Sequence, residues 1–309
     1  MPEASEGEAG SSVRRCGFVA VIGVPNVGKS TLVNALVGSK VSIVTPKVQT
    51  TRALIRGIAI EGQSQLILVD TPGIFAPRRR LDRAMVEGAW AGTRDADLVA
   101  LVIDASRDVE EDDEAVVKAL AGMPVTKVLV LNKIDLVAKP KLLDLAQALN
   151  DRAAFAATFM ISARSANGVA ELKSFLAAHV AAGPWLYPAD QISDAPMRQF
   201  AAEVTREKLY LRLHQELPYQ STVETESWKE QKDRSVRIEQ TIYVARESQR
   251  KIVLGKGGQT IKAIGAAART EIAAAIEHPV HLFLFVKVRE HWADDPERYR
   301  EMGLEFPKG

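Results

Sequence analysis

The run Gly23-Val24-Pro25-Asn26-Val27-Gly28-Lys29-Ser30 constrains this chain more than any other stretch. An unbroken apolar segment, residues 17–22, leads into it. Residues 29–37, with apolar positions at helical spacing, lead out of it. A strand apolar on both faces belongs inside a parallel sheet. A glycine-rich turn between such a strand and a helix, ending in Lys-Ser, is the Walker A pattern. Its glycines let the backbone curl so that successive N–H groups face a phosphate, and the helix start adds its positive end. Lys29 is expected to reach the β- and γ-phosphates and Ser30 to ligate Mg²⁺, with Thr31 completing the loop.

Further apolar runs at 66–69, 98–103, 125–131 and 155–161 alternate with helical stretches such as 81–94 and 111–121. Residues 53–60 read as one extra edge strand, and a last helix covers 169–182. This alternation predicts an α/β domain over 15–182 with a mixed, mostly parallel sheet covered on both faces. Residues 183–196 (GPWLYPADQISDAP) read as a linker. The pattern then changes. A helix over 197–217 precedes two antiparallel strands, 219–228 and 235–245. A GKGG turn, a helix over 260–275 and a strand over 281–288 follow. This is a smaller α+β domain over 197–291. Residues 1–14 read as a polar, disordered tail, and 292–309 as a charged tail short of apolar periodicity. A chain of 309 residues is long for one core, which agrees with two domains.

Three more motifs sit at strand ends. Asn132-Lys133-Ile134-Asp135 follows the apolar VLVL. A carboxylate at Asp135 can accept from both N1 and the N2 amino group of guanine, a donor pair that adenine lacks. Ser162-Ala163, after the next strand, is expected to touch the base through its backbone. Asp70-Thr71-Pro72-Gly73 places a carboxylate near Mg²⁺ and lets a glycine N–H approach the γ-phosphate. Between these lies Gln49-Thr50-Thr51-Arg52. A threonine hydroxyl there can join Ser30 and Asp70 around the metal, and Thr51 is chosen over Thr50.

The set GVPNVGKS, QTTR, DTPG, NKID and SA resembles the translation-factor-related GTPases, specifically their Era branch. The resemblance covers residues 15–182. It implies a Ras-like fold, GTP or GDP as bound nucleotide, and Mg²⁺-dependent hydrolysis of GTP. Lys29, Thr51, Gly73 and Asn26 are the catalytic candidates it carries over. Residue 74 is isoleucine, where Ras-like enzymes hold the glutamine that orients water. Arg52 and the run Arg78-Arg79-Arg80 can supply charge, but loop arginines are more often solvated. Asn26 either helps hold potassium against the phosphates, as relatives with this Pro-Asn pair imply, or bonds the loop's own backbone.

In the second domain, Leu254-Gly255-Lys256-Gly257-Gly258 joins two helical segments. From 246 to 269 there are six basic residues, among them Arg250, Lys251, Lys256 and Lys262, against one acid. Glycines here admit phosphates to the backbone, and helix N-termini point at them. Apolar Ile252, Leu254, Ile261 and Ile264 can pack the core or floor a groove for bases. The stretch VLGKGGQTIKAIG and the element order resemble a type II KH domain. Era-like architecture then implies a partner: the single-stranded 3′ end of small-subunit ribosomal RNA, during assembly of the small (30S) subunit.

The remaining residues get plainer readings. Net charge is +1, so a nucleic-acid signal must be local. The single cysteine, Cys16, permits no disulfide within the chain and fits a reducing, cytoplasmic setting. No signal peptide, membrane span or lipidation pattern is present. Weak peripheral association with a membrane's cytoplasmic face stays open, and the chain reads as a monomer. The four tryptophans read as packing residues, and HLFLFVKV as a core strand rather than a stacking platform. Assistance to RNA modification and a GTP-gated membrane scaffold are the alternative functions.

Overall fold

The computed structural model describes residues 13–213, 217, 220–290 and 292–307. The first half runs β1 (Arg15–Ile22), α1 (Lys29–Val37), β2 (Ile55–Glu61), β3 (Ser64–Asp70), α2 (Arg80–Arg94) and β4 (Leu98–Asp104). It continues with α3 (Glu111–Ala121), β5 (Thr126–Asn132), α4 (Lys139–Asn150), β6 (Ala157–Met160) and α5 (Val169–His179). Its six strands form one sheet in the order β2-β3-β1-β4-β5-β6. Every pairing is parallel except β2 with β3. All residues of β3 and β4 are buried, which is why both read as continuous apolar runs.

Each of these apolar strands ends on a buried polar residue: β3 on Asp70, β4 on Asp104, β5 on Asn132. Register aligns Val21 with Asp70 and Asp104 with Asn132, so these polar ends line one edge of the sheet. Open parallel sheets bind ligands beyond that edge. Helix α4 was not among the expected helices. It buries only Leu142 and Leu149, a stripe too narrow to stand out by periodicity.

The second half comprises α6 (Met197–Arg212), β7 (Ser221–Glu230), β8 (Val236–Val244), α7 (Glu247–Leu254), α8 (Gln259–Ile276), β9 (Val280–Val288) and α9 (Pro296–Glu301). Strand β8 lies between an antiparallel β7 and a parallel β9. Ala201 and Val204 of α6 pack with Ile238, Ala268, Ile272 and Val280 on one face of this sheet. The helix expected over 197–217 ends at Arg212. Residues 214–216 of that expectation, residue 219 of the next strand, 1–12 of the first tail and 308–309 of the last lie outside the described residues.

Two segments differ from their sequence reading. The linker is strapped along the edge of β2: Ile58 N–H donates to Ile192 O (2.8 Å), and Arg56 pairs with Asp194 (2.8 Å). Pairing of this kind covers an otherwise open strand edge. The final segment is also no loose tail. Trp292, Tyr299 and Leu304 are buried against Leu81, Ala84 and Met85 of α2. Three anchors spread over thirteen residues carry no helical period, so the sequence hid them. Among the described residues, no helix is long and apolar enough to cross a membrane.

Candidate nucleotide cleft and nucleic-acid loop

The loop between β1 and α1 adopts the conformation its glycines permit. Gly23 has φ 147° and Gly28 φ 98°, and Asn26 also sits at positive φ (66°). A Cβ at Gly28 would lie 2.3 Å from Asn132 Nδ2, so no other residue fits there. Lys29 is buried, and its ammonium donates to Gly23 O (3.1 Å) and Val24 O (2.9 Å). Burial lowers its pKa to about 8, with the Asp70 carboxylate pulling the other way. This is a buried cation held by two backbone carbonyls.

Three oxygens converge beside it. Ser30 Oγ donates to Asp70 Oδ2 (2.7 Å) and lies 2.9 Å from Thr51 Oγ1, which itself donates to Asp70 Oδ2 (3.3 Å). Asp70 is fully buried, and burial pushes its pKa up against the hydrogen bonds of Ser30 and the charge of Lys29. Its second oxygen, Oδ1, is buried with no hydrogen-bond partner. A buried, half-satisfied carboxylate among hydroxyls is a hard-oxygen donor set, and it fits Mg²⁺. Thr50, one residue away, spends its hydroxyl on Lys47 O and Thr45 Oγ1 (both 2.6 Å). The hydroxyl that joins Ser30 and Asp70 is thus that of Thr51 and not that of Thr50.

The base side of the cleft is knitted by Asn132. Its Nδ2 donates to Val27 O (2.8 Å) and its Oδ1 accepts from Ala163 N–H (2.9 Å), which ties three loops together. Lys133 Nζ reaches Asn26 O (2.9 Å) and Asp104 Oδ2 (2.5 Å). Burial pushes Asp104 up, but Lys133 and the Ser106 donors outweigh it and hold the carboxylate below its usual range. The sequence reading missed Asp104; its position at the end of an apolar strand, like Asp70, is the signal that would have found it. Asp135 is exposed on the lip of the cleft beside Leu136, Ser162 and Ala163. The cleft encloses about 610 Å³ and runs from Pro25 and Gly73 to Ala163.

Not every expected residue faces this space. Thr71 is buried and bonds Val21 O (2.9 Å), so its hydroxyl serves the fold. Gly73 presses on the phosphate loop, where an added Cβ would meet Pro25 N at 2.8 Å. Ile74 lies in the apolar core, so the position that carries glutamine in Ras-like enzymes faces away from any attacking water. Arg52 is likewise no charge donor to the phosphates. It is buried, donates to Ser221 O (2.8 Å), and stacks near Tyr210 and Trp292. Asn26 is exposed and lines the cleft.

The glycine loop of the second half is built differently. Helix α7 ends at Gly255 (φ 71°), where a Cβ would lie 2.2 Å from Thr260 Oγ1. Gly257 and Gly258 also have positive φ (60° and 77°), yet an added Cβ would meet nothing within 4 Å. Open space above two glycines at the N-terminus of the 18-residue α8 is what an approaching phosphate needs. Lys251, Lys256 and Lys262 are exposed around it, and Leu254 and Ile261 are partly buried against the core. Ile264 is wholly buried, while Ile252 is 56% exposed. Arg250 is partly committed: it pairs with Glu247 (2.9 Å) and donates to Val286 O of β9 (3.2 Å).

The two halves meet at the Thr51 loop, a contact the sequence did not reveal. Arg206 of α6, buried, donates to Thr50 O (2.5 Å) and is paired with Glu203. Glu207 accepts from Val44 N–H (2.8 Å) and from Lys40 (2.7 Å).

A mostly parallel sheet with this phosphate loop, buried carboxylate and base-side asparagine defines a P-loop GTPase, here joined to a KH module. Comparison with known proteins agrees. Residues 18–133 match the family described as 50S ribosome-binding GTPase, and 216–293 match the KH domain. The chain is 67% identical to GTPase Era of Bradyrhizobium diazoefficiens over all of both chains, and 64% identical to that of Rhizobium meliloti over 97% of this chain and 96% of the relative. It belongs to the Era family of GTPases, and it is a GTP hydrolase. Among solved structures, an Era protein in complex with MgGDPNP and nucleotides 1506–1542 of 16S ribosomal RNA shares its fold (TM-score 0.88, 35% identity, 94% of this chain and 99% of that one). A variant of Aquifex aeolicus Era bound to GDP and AlF4⁻ matches equally well.

Proposed function

We propose that this chain is a GTP-driven switch that grips the single-stranded 3′ end of small-subunit ribosomal RNA and assists assembly of the 30S subunit. One observation carries the reading. The loop bearing Thr51 is held by Arg206 and Glu207 of the RNA-side module, and Arg52 of the same loop holds Ser221. A loop that responds to the γ-phosphate cannot then move without disturbing the module that holds RNA, so nucleotide and RNA affinities are coupled in both directions. The relative solved with a 16S fragment and MgGDPNP supports the same pairing of ligands.

Ser30, Thr51 and Asp70 would hold Mg²⁺, which neutralises charge developing on the β- and γ-oxygens. Lys29 exchanges its two carbonyls for phosphate oxygens. The Gly73 N–H stands on the γ side, and Asp135 orients guanine. With Ile74 turned into the core and Arg52 spent on Ser221, charge compensation between the β- and γ-phosphates falls to another group. Asn26, exposed in the phosphate loop, would help hold potassium there. Faster hydrolysis in potassium than in sodium at matched ionic strength, lost in Asn26→Ala, is the expected result; equal rates in both salts exclude that role.

The reading as a whole is tested by titrating RNA into the protein with a non-hydrolysable GTP analogue and with GDP. Lys256→Asp should abolish binding of a short single-stranded RNA and leave GTP affinity unchanged, because it sets a carboxylate against a phosphate. RNA affinity identical in the two nucleotide states would refute the switch. Undiminished RNA binding by Lys256→Asp would move the RNA site elsewhere.

A further inference from the structure

Strand β9 was expected to be a core strand rather than a stacking platform, and only one of its faces is core. Val280 and Val286 are buried, whereas Phe283 and Phe285 are 42% and 49% exposed. The helices α6 and α8 cover the inner face, so both rings stand on the outer face. They are two residues apart on a strand, roughly 7 Å. That is about twice the 3.4 Å rise of stacked bases. Two bases seated on the two rings are therefore unstacked from one another, as sequence readers of single strands require.

The surroundings specify the occupant. Register places Glu239 beside Phe283 and Arg237 beside His281 on the neighbouring β8. Arg237 stacks its guanidinium over Phe283 (4.6 Å to the ring centroid) and neutralises Glu239 (2.8 Å). A guanidinium plane on a ring is itself a surface for a base. Lys287, the next outward residue after Phe285, is exposed. The other half of the outer face is closed by the chain itself, with Arg298 over Tyr243 (4.8 Å) and paired with Glu224 (2.5 Å). The final segment thus packs over Tyr243 and Glu224 and leaves Phe283 and Phe285 half-exposed.

The stripe is also continuous with the glycine loop. Arg250 of α7 donates to Val286 O, the carbonyl between Phe285 and Lys287, and β9 is the edge strand of its sheet. A strand of RNA leaving the loop has one strand edge to round before it meets the rings. We propose that the outer face of β9 is a base-stacking platform for single-stranded RNA that runs on from the glycine loop, Phe283 and Phe285 each taking one base. The proposal rests on the reading of the glycine loop as an RNA clamp.

The test uses the full chain and two RNAs from the 3′ end of small-subunit ribosomal RNA. One has about four nucleotides, the length a KH loop clamps; the other is that segment extended by about six nucleotides on each side. The parent should bind the longer RNA more tightly. The double variant Phe283→Ala, Phe285→Ala should lose that gain, roughly tenfold per ring, with the short RNA bound as before, which shows that the fold is kept. Phe285→Trp should keep the gain, and its fluorescence should be quenched by the long RNA and not by the short one. A gain that survives the double variant, or no gain in the parent, overturns the platform and leaves the face to a protein partner. Failure of the clamp reading shows separately, as unchanged binding of both RNAs by Lys256→Asp.

Discussion

The phosphate loop and the glycine loop of the KH module both place glycines at a helix N-terminus, but they use them for opposite purposes. At Gly28 and Gly73 an added Cβ would strike the protein itself, Asn132 at 2.3 Å and Pro25 at 2.7 Å. Those glycines let separate loops close on one another, and the resulting cleft is cross-braced by Asn132. At Gly257 and Gly258 a Cβ would enter empty space. There the glycines keep clear a surface for something outside the chain. One site is shaped by tertiary contacts, the other by the local backbone. Preorganisation of the first suits a reaction that depends on positioned charge. Openness of the second suits a partner much larger than the loop.

The largest expected effect comes from breaking the braced site. Gly28→Ala should cost about 4 kcal/mol of nucleotide binding, close to a thousandfold, since it forces Asn132 off Val27 and Ala163 together. Calorimetric titration with GDP checks it; near-parental affinity would mean the braces are dispensable. Asp135→Asn comes next. It should weaken GTP by about 3 kcal/mol, on the order of a hundredfold, and improve binding of xanthosine triphosphate. Competition between the two nucleotides measures the exchange, and an unaltered preference for GTP would remove Asp135 from base recognition.

A smaller effect follows from Lys29. Burial lowers its pKa to about 8, below the ordinary 10.5. A base with a lowered folded value costs stability at pH below about 8, and the cost is relieved as pH rises toward 10.5. Bound phosphate acts in the opposite sense by restoring the ammonium. Nucleotide binding should therefore take up a proton above pH 8, and affinity should fall about tenfold per pH unit there. Titration calorimetry in buffers of different ionisation enthalpy reads the proton directly; none taken up at pH 9 contradicts the assignment.

The smallest effect belongs to the open site. Gly257→Ala should cost about 1 kcal/mol of stability for a residue at φ 60°. It should weaken RNA through the methyl group while GTP binding stays as it was. If this change damaged the protein as severely as Gly28→Ala, the contrast between the two loops would be wrong.

Much of this architecture was legible in the chain. Alternating apolar runs and glycine motifs are local signals, and local signals specify strands, turns and the residues at strand ends. The motif residues Lys29, Ser30, Asp70 and Asn132 could be named because each is fixed in sequence relative to the strand that carries it. Tertiary structure alone decided the rest. It separated Thr51 from Thr50, which share one motif but not one set of neighbours. It turned Ile74 and Arg52 away from the phosphates, recruited Asp104 to Lys133, and made Arg206 the holder of a loop 156 positions earlier. It also buried the final segment on α2 and left half of β9 outside. These outcomes depend on which distant surface a side chain meets, and sequence periodicity says that a face is apolar without saying what, if anything, will cover it.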